Sequence, residues 1–490
     1  MTALSLNTEL MKNARLARDA RFDGLFFIGV KTTGIFCRPI CKARAPLEKN
    51  VVYYACAIEA MNQGFRPCLL CRPDSAPGSF AWKGVETTVE RGMKLIGENF
   101  EASISDIADR LGVSTRYFNR LFNEYLQISP KQYQLYHRLL FAKKLLHESS
   151  LSIELVAQAS GFSTARQMQI HMKKVTGLSP SNIRKKSADR SSHKNQELSV
   201  FLSYRPPYDW PSVRDFFKLR ELHCNEKISD NKIEKVLTIK NQAVLIKAEH
   251  KAQKNGFEVC LKLPDVSLLK DSIRAVGKML DLQSDSMLIA AAIAESGLPT
   301  RYIAKGLRLP GVVNQFEAAC RAIIGQQVSV KAAISQLNLL HQVLYGNVEG
   351  GLERALEKAH EKGTETMYTQ KLNAFVSPEL VARADLSFLK MPQARKDTLK
   401  RLAQFVLDKP NAKPQEWLEL KGIGPWTVNY VLMRNADIPD IFLDTDLVIK
   451  NRLLALGQKG VEIQPDNSAP WRSYLTLSLW AAESLVPVKE

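Results

Sequence analysis

The stretch FCRPICKARAPLEKNVVYYACAIEAMNQGFRPCLLC, residues 36–71, contains two close cysteine pairs. Three residues separate Cys37 from Cys41, two separate Cys68 from Cys71, and 26 residues lie between the pairs. Two such pairs can enclose one tetrahedral metal ion, and zinc is the ion expected of four thiolates. A zinc-bound thiolate stays deprotonated at neutral pH, so it can be a nucleophile as well as a ligand. The spacing therefore predicts a small zinc-bound domain whose role is either structural or chemical.

Cysteine usage in the rest of the chain favours a reduced compartment. The chain has eight cysteines in 490 residues, no apolar leader and no apolar run of membrane-spanning length. Disulfides are the weaker alternative, because the remaining cysteines are scattered singly. We expect three or four domains, a cytoplasmic, nucleoid-associated location and no membrane partner. The scattered thiols are Cys56, Cys224, Cys260 and Cys320.

The net charge points to a polyanionic partner. The formal charge is +18, and residues 1–200 contribute +12 of it, with 29 Lys and Arg against 17 Asp and Glu. Residues 166–194 carry eight basic side chains and one acid, Asp189. Clustered positive charge of this kind favours nucleic acid. A lysine-rich solvated surface is the alternative, and the helical patterns beside the basic run argue against it.

Two similar helical units follow the cysteine-rich segment. They are SISDIADRLGVSTRYFNRLFNEYLQISP (103–130) and LSIELVAQASGFSTARQMQIHMKKVTGLSP (151–180). Each has a capping Ser, a short amphipathic helix, a Gly turn, a second capping Ser and a longer helix expected to stop at Ser-Pro. This order predicts two helix-turn-helix units whose second helices start near Ser114 and Ser163. Side chains expected to reach bases or phosphates are Arg116, Asn119, Arg120, Arg166, Gln167 and Gln169.

The tandem units resemble the DNA-binding region of the AraC family of transcription activators. The resemblance implies that the chain binds promoter DNA and works with RNA polymerase. Because one chain supplies two reading helices, we expect it to bind as a monomer.

The cysteine-rich segment, over roughly residues 20–75, closely resembles the N-terminal domain of the Ada family of alkylation-response regulators. The motifs KTTGIFCRPIC and FRPCLLCRPD carry the resemblance, and the AraC-type units follow in the family's order. It implies that Cys37 accepts a methyl group, irreversibly, from a DNA methylphosphotriester, with Cys41, Cys68 and Cys71 as the other zinc ligands. The family's second methyltransferase motif, Pro-Cys-His, is absent from the sequence.

The C-terminal half contains LKGIGPWTVNY (420–430), followed by FLDTDLVIKNR (442–452). Gly422 and Gly424 permit a tight turn between helices whose backbone amides can approach a DNA phosphate. The two motifs together resemble the helix-hairpin-helix DNA glycosylases. Residues 198–485 further resemble the AlkA-type 3-methyladenine glycosylases through motifs in the same order: YRPPYDW, LRLPG, FEAACRAIIGQQVSV, GIGPWTVNY, FLDTDLVIK and PWRSYLTLSLW.

The glycosylase resemblance implies a catalytic carboxylate at Asp446, with Asp444 as the alternative. A carboxylate stabilises the positive charge that develops on the sugar when the glycosidic bond breaks. Trp426, Tyr430 and Trp480 match pocket aromatics, which favour a cationic alkylated base; core packing is the alternative role for such rings. Relatives that also cut the strand carry a lysine where this chain has Trp426, so the resemblance implies a glycosylase that leaves an abasic site.

Two positions depart from the AlkA pattern. Gln327 stands where that family has a leucine wedge inserted into the DNA stack, and Leu447 stands where it has a tyrosine beside the catalytic acid. We expect both departures to affect lesion range and rate rather than the reaction class.

The predicted fold class is multidomain α+β. Residues 198–310 should contain strands at 235–248 and 256–263 and a helix near 266–281, and the chain should be mainly helical from 311. A regulator that keeps a weak glycosylase fold only for DNA binding is the main functional alternative, and a metal-dependent nuclease is a distant one. The expected domains are a zinc methyl-acceptor α/β domain at 1–78, an all-α tandem helix-turn-helix domain at 84–190, an α+β domain at 198–310 and an all-α helix-hairpin-helix domain at 311–490.

Overall fold

The computed structural model describes residues 7–19, 22–74, 85–185, 198–346, 372–435 and 438–481. The nearly apolar-free stretch KKSADRSSHKNQE, 185–197, predicts a linker, and all of it except Lys185 lies outside the described residues, as does the end of the first predicted domain, 75–78. The chain divides into two compact units, residues 1–140 and 141–490. None of the helices within the described ranges combines the length and apolar content needed to span a bilayer.

The cysteine-rich segment folds around a four-stranded sheet in the order β3-β1-β2-β4. β1 pairs antiparallel with β2 and β3, and β2 pairs parallel with β4. The sequence pattern predicts a strand from Leu25 to Val30 and a short helix within 58–65 that ends at Gly64. The strand begins at Phe27, and the helix ends at Asn62, shortly before Gly64 at a φ of +83°. The elements are α1 (Thr8–Ala17), β1 (Phe27–Val30), β2 (Ile35–Cys37), β3 (Val51–Tyr54), α2 (Ala57–Asn62) and β4 (Arg66–Pro67).

In the first helix-turn-helix unit, both helices start where the sequence predicts. Ser103 and Ser114 accept hydrogen bonds from the Asp106 and Tyr117 amides and so cap its two helices. The turn between them contains Gly112 at a φ of +71°, which a side chain would strain. The elements are α3 (Glu86–Glu98), α4 (Ile104–Arg110), α5 (Thr115–Leu126) and the spacer α6 (Pro130–Glu148), which crosses from the first compact unit into the second.

The second unit contains α7 (Ile153–Ala159), α8 (Ala165–Thr176) and α9 (Pro180–Lys185). Its recognition helix α8 is capped by Thr164, whose hydroxyl accepts from the Gln167 amide, and not by Ser163 as predicted. The predicted Ser-Pro stops are also wrong. Left-handed residues, Gln127 (φ 59°) and Gly177 (φ 73°), end the longer helices, and each Ser-Pro pair starts the next helix, because proline needs no N–H partner in a first turn.

A five-stranded antiparallel sheet follows, in the order β5-β9-β8-β7-β6. The single strand predicted at 235–248 is wrong, because the chain forms a hairpin of two antiparallel strands, β7 and β8, over these residues. Lys240 and Asn241, with φ values of +47° and +61°, form a two-residue turn whose twist matches paired strands. The elements are β5 (Leu198–Ser203), α10 (Trp210–Leu219), β6 (Glu226–Ser229), β7 (Lys232–Ile239), β8 (Gln242–Lys251), β9 (Gly256–Lys262) and, as predicted near 266–281, α11 (Leu269–Met279) after a 3-10 turn at Val266–Leu268.

The described residues after α11 are mainly helical, and the predicted α+β multidomain class is confirmed. Their apolar side chains form two cores, one built from residues between 312 and 431 together with Leu222, and one from residues between 289 and 479. The second core crosses the boundary predicted at 310–311. The helices are α12 (Ser286–Glu295), α13 (Gln315–Gly325), α14 (Val330–Gly346), α15 (Pro378–Arg383), α16 (Gln393–Asp408), α17 (Pro425–Arg434), α18 (Leu447–Gly457) and α19 (Arg472–Ala481).

Helix α17 belongs to both of these cores. Val428 and Val431 pack into the first core and Met433 into the second, which fixes the helix in place. The side chains at its N-terminal end and along its remaining face are thereby held rigidly between the two cores.

Candidate functional site

The four predicted cysteine ligands lie together. Cys37 ends β2, Cys41 follows in the next turn, and Cys68 and Cys71 follow β4. Their Sγ atoms all lie within 4.8 Å of one another. Four sulfurs around a zinc ion at about 2.3 Å would be separated by roughly 3.8 Å, so small adjustments complete a tetrahedral site.

Hydrogen bonds hold this cysteine cluster in shape. The Arg38 amide donates to Cys71 Sγ over 3.4 Å, and the Cys68 amide donates to the Phe36 carbonyl over 3.0 Å, which ties the second pair to β2. The buried Arg38 guanidinium donates to Asp23 and, over 3.1 Å, to the Cys71 carbonyl. Arg38 is therefore a support of the site that spacing alone does not reveal.

The thiols of the cluster shift one another's pKa values through their hydrogen bonds. Hydrogen bonds with Cys41 and Cys71 raise the pKa of Cys37, whereas hydrogen bonds from Cys37 and Cys71 lower the pKa of Cys41 to about 2. The four sulfurs cannot all be thiolates at such short range without a cation to neutralise them, and zinc fits this donor set. Cys56, by contrast, is exposed and stands outside the cluster.

The second site is built on the N-terminus of α18. Asp446 caps this helix: its Oδ1 accepts from the Ile449 amide over 3.1 Å. The indole nitrogens of Trp426 and Trp480 donate to its Oδ2 over 3.0 Å and to its Oδ1 over 3.3 Å. The helix N-terminus and the two indole N–H groups together fix the orientation of this carboxyl group. Asp444 is exposed, and Leu447, the departure beside the acid, is 71% exposed.

The aromatic side chains predicted for the pocket lie side by side at this carboxylate. The Trp426 and Tyr430 rings stack with centroids 5.4 Å apart at 25°, and Tyr430 lies 6.3 Å from the Trp480 ring. The three rings come from α17 and α19. The motifs GIGPWTVNY and PWRSYLTLSLW, which supply these rings, therefore meet at Asp446. Electron-rich ring faces beside a carboxylate suit a cationic planar base.

Sequence reasoning missed the residue that anchors Tyr430. The buried Arg434 donates to the Tyr430 hydroxyl over 2.8 Å and to the Pro310 carbonyl over 3.0 Å. Burial alone would raise the pKa of Tyr430, but the charges of Arg434, Arg220 and Arg321 outweigh it and lower that pKa. The only sequence signal is the position of Arg434, one helical turn after Tyr430 on α17.

The predicted hairpin joins a 3-10 turn, Pro414–Glu419, to α17, with α16 packed beside it. Gly422 has a φ of +96°, and a Cβ there would lie 2.1 Å from Thr398 Oγ1. Gly424 is the N-cap of α17, with a φ of −110°, and no atom lies within 4 Å of the place a Cβ would take. Only Gly422 therefore requires glycine for its local structure.

Gln327 occupies the exposed tip of the turn between α13 and α14, at a φ of +57°. The neighbouring Gln326 donates to Thr427 Oγ1 over 3.2 Å, which ties the turn to α17. Arg395 of α16 donates to Gln327 Oε1 over 3.4 Å. Gln327 is therefore held at the exposed tip of this turn by its neighbours and by the hydrogen bond from Arg395.

The predicted DNA-reading side chains differ in how free they are. Arg116, Arg120 and Arg166 are exposed, and the Arg120 guanidinium lies 4.9 Å from the Tyr117 ring centroid. Asn119 is half-buried and donates to the Thr115 carbonyl over 2.8 Å, so its amide group is engaged within its own helix. The exposed Gln167 accepts from the Ser163 amide over 3.3 Å and keeps its amide N–H groups for a partner.

Three family profiles match the chain in succession. They are the metal binding domain of Ada at residues 11–74, a helix-turn-helix domain at 107–186 and the AlkA N-terminal domain at 199–314. The matches cover the cysteine cluster, the tandem helical units and the five-stranded sheet.

One curated relative aligns with nearly the whole chain, and others align with parts of it. The "Probable bifunctional transcriptional activator/DNA repair enzyme AlkA" of Mycobacterium tuberculosis is 29% identical over 484 residues, 95% of this chain and 94% of that protein. The bifunctional transcriptional activator/DNA repair enzyme AdaA of Bacillus subtilis is 32% identical over 178 residues, 36% of this chain and 81% of that protein. DNA-3-methyladenine glycosylase 2 of Escherichia coli is 27% identical over 298 residues, 58% of this chain and 98% of that protein.

Proposed function

Because the chain belongs to the Ada family of transcriptional activators and DNA repair enzymes, here continued by an AlkA-type glycosylase half, we propose that it repairs alkylated DNA by two reactions. The C-terminal half hydrolyses the N-glycosidic bond of alkylated purines of the 3-methyladenine type. The N-terminal half transfers a methyl group from DNA methylphosphotriesters to Cys37. That transfer activates transcription.

The carboxylate of Asp446 carries the glycosylase proposal. Two indole N–H groups and a helix N-terminus hold it in place beside the stacked rings of Trp426 and Tyr430. A cationic base stacked there leaves without acid assistance, and the carboxylate stabilises the positive charge left on the sugar while water attacks. Trp426 has no amine for a Schiff base, so the product is an abasic site in an uncut strand.

The cysteine cluster supports the methyl-transfer proposal. Cys37, Cys41, Cys68 and Cys71 would hold a zinc ion, which would keep the sulfurs deprotonated. The Cys37 thiolate forms a bond to the methyl carbon as the bond from that carbon to the phosphate oxygen breaks, and the phosphodiester leaves with the electron pair. The sulfur becomes a neutral thioether, so the site loses one negative charge and binds the DNA backbone more tightly.

The helix-turn-helix units support the regulatory proposal. Exposed Arg116, Arg120 and Arg166 on the two recognition helices offer contacts to bases and phosphates of promoter DNA. In the proposed role the chain works as a monomer with RNA polymerase and is associated with the nucleoid. The domain boundaries remain those proposed from the sequence, 1–78, 84–190, 198–310 and 311–490.

The test of the glycosylase is release of free 3-methyladenine and 7-methylguanine from methylated duplex DNA. The native chain should release both bases, Asp446→Asn should release them at least about 100-fold more slowly, and Asp444→Asn should be close to native. Release that survives in Asp446→Asn and disappears in Asp444→Asn would move the catalytic role to Asp444. No release from the native chain would favour a regulator without glycosylase activity.

The test of methyl transfer is uptake of labelled methyl groups from DNA that carries methylphosphotriesters. Uptake should reach one methyl group per native chain and be absent from Cys37→Ala. Cys56→Ala is the matched control, because Cys56 is an exposed thiol outside the cluster. Equal uptake by the native chain and Cys37→Ala would mean that Cys37 is only a ligand.

A further inference from the structure

The second helix-turn-helix unit, residues 151–185, contacts the five-stranded sheet domain within the compact unit 141–490. Its first helix, α7, lies against the 3-10 turn Val266–Leu268 that leads into α11. Just before that unit, Ser149 forms an isolated antiparallel bridge with Val200 of β5. The contact therefore has two parts, one through a helix and one through the backbone.

The backbone part lies at an edge of the sheet. The strand order β5-β9-β8-β7-β6 leaves β5 with a strand partner on one side only. An unpaired edge is a template for another chain segment, and natural proteins cover such edges. Here the residue after α6 supplies part of the cover, and both Ser149 and Val200 are buried.

The helical part is revealed by comparison of the two repeats. Aligned on their capping serines, SISDIADRLG (103–112) and SIELVAQASG (152–161) place Asp106 opposite Leu155 and Arg110 opposite Ala159. Asp106 and Arg110 are exposed, whereas Leu155 is half-buried and Ala159 is 1% exposed. At these positions the outer face of α4, in the first repeat, is charged, whereas that of α7, in the second repeat, is apolar. Of the two helices, α7 is the one that contacts the sheet domain.

From these two observations we propose that α7 is a docking face and that the second helix-turn-helix is a fixed DNA-binding arm of the glycosylase half. The recognition helix α8 follows α7 after one tight turn, so docking of α7 also fixes the exposed Arg166 and Gln167 relative to the glycosylase. A second DNA contact held rigidly to the first raises affinity through a high effective concentration, without new contacts to the lesion.

The first experiment separates the covalent connection from the docking. A protease recognition sequence is inserted in residues 186–197 of the full chain, the chain is cut, and the products are run on a sizing column. The two fragments should elute together as a single complex. Separate elution of two fragments that each retain a folded circular-dichroism spectrum would overturn the proposal.

A variant that copies the first repeat tests the helical contact. Leu155→Asp with Ala159→Arg introduces the residues that the first repeat carries at these positions in its own folded helix. After cleavage this variant should separate into two fragments, whereas Gln158→Arg, a charge at an exposed position of the same helix, should stay together. Co-elution of the double variant would show that α7 is not the docking face; if the double variant does not fold, the cleavage of the unsubstituted chain decides alone.

A DNA-binding measurement tests the arm itself. Fluorescence anisotropy with an undamaged duplex gives Kd for the cut but docked complex, for its Arg166→Ala form and for the isolated C-terminal fragment released from the double variant. Arg166→Ala and loss of the arm should each weaken binding by about fivefold or more. Equal Kd values for the docked complex and the released fragment would mean that the contact is packing without a role in DNA binding.

Discussion

The indole nitrogen of Trp426 donates a hydrogen bond to Oδ2 of Asp446 over 3.0 Å. An indole N–H can only donate, so the partner oxygen of Asp446 must accept. The same ring stacks on Tyr430. In the proposed reaction, Trp426 would therefore both stack against the base and orient the acid that acts on the sugar.

Replacing Trp426 by Phe should slow base release while the stacked ring is kept. A hydrogen bond to a charged group contributes about 1.5–3 kcal/mol, so we expect single-turnover release of 7-methylguanine to fall roughly 10- to 100-fold. Trp480→Phe, which removes the longer 3.3 Å bond, should cost less. Trp417→Phe is the control, since the Trp417 indole is buried without a hydrogen-bond partner in the described structure. A loss in Trp426→Phe no larger than in Trp417→Phe would contradict the anchoring role.

Loss of one cluster thiol should release the metal and loosen the N-terminal domain. Cys68→Ser removes the buried ligand, so zinc analysis should fall well below the one ion per chain expected of the native protein. Treatment of the native protein with a chelator should lower the unfolding temperature of the same domain. Cys56→Ser should keep full zinc and the native unfolding temperature, because Cys56 lies outside the cluster. Full zinc occupancy in Cys68→Ser would exclude Cys68 as a ligand.

The parts of this molecule that follow from local chemistry were predictable from the sequence. The cysteine spacing predicted the cluster, because each close pair is formed within a few residues. Ser103 and Ser114 predicted helix starts, because a capping hydroxyl needs only an amide three residues later. The motif FLDTDLVIKNR predicted acids at a helix entry, and Asp446 is the residue that caps α18.

The parts that depend on distant contacts or on close alternatives were not predictable. Thr164 and Ser163 are both capping residues, and the choice between them is made by the fold around α8. The turn at Lys240 and Asn241 carries no glycine, so the hairpin was hidden in a continuous strand pattern. Arg434 supports Tyr430 only because the Pro310 carbonyl, 124 residues away in sequence, holds its guanidinium.

The two hairpin glycines should respond differently to alanine. Gly422→Ala places a Cβ 2.1 Å from Thr398 Oγ1 at a φ of +96°, so the turn must shift. We expect a loss of roughly 1–3 kcal/mol of folding free energy and weaker duplex binding. The Cβ added by Gly424→Ala would have no atom within 4 Å, so this variant should have the same unfolding temperature as the native protein. Urea unfolding and anisotropy would check both variants, and equal stability of the two would contradict the steric argument.

His341 should make the C-terminal half less stable in mild acid. Its ring is fully buried beside Phe375, both ring nitrogens lack hydrogen-bond partners within the described structure, and burial lowers its pKa to about 4. The unfolded chain takes up this proton near pH 6.5, so the folded state is at no disadvantage above about pH 6.5 and loses stability as the pH falls from there towards 4. Between pH 7 and pH 5 the native protein should lose about 2 kcal/mol more folding free energy than His341→Phe. Urea unfolding of both proteins at the two pH values measures this difference, because their other titrating groups are shared. Parallel losses in the two proteins would show that His341 is not the group that takes up the proton.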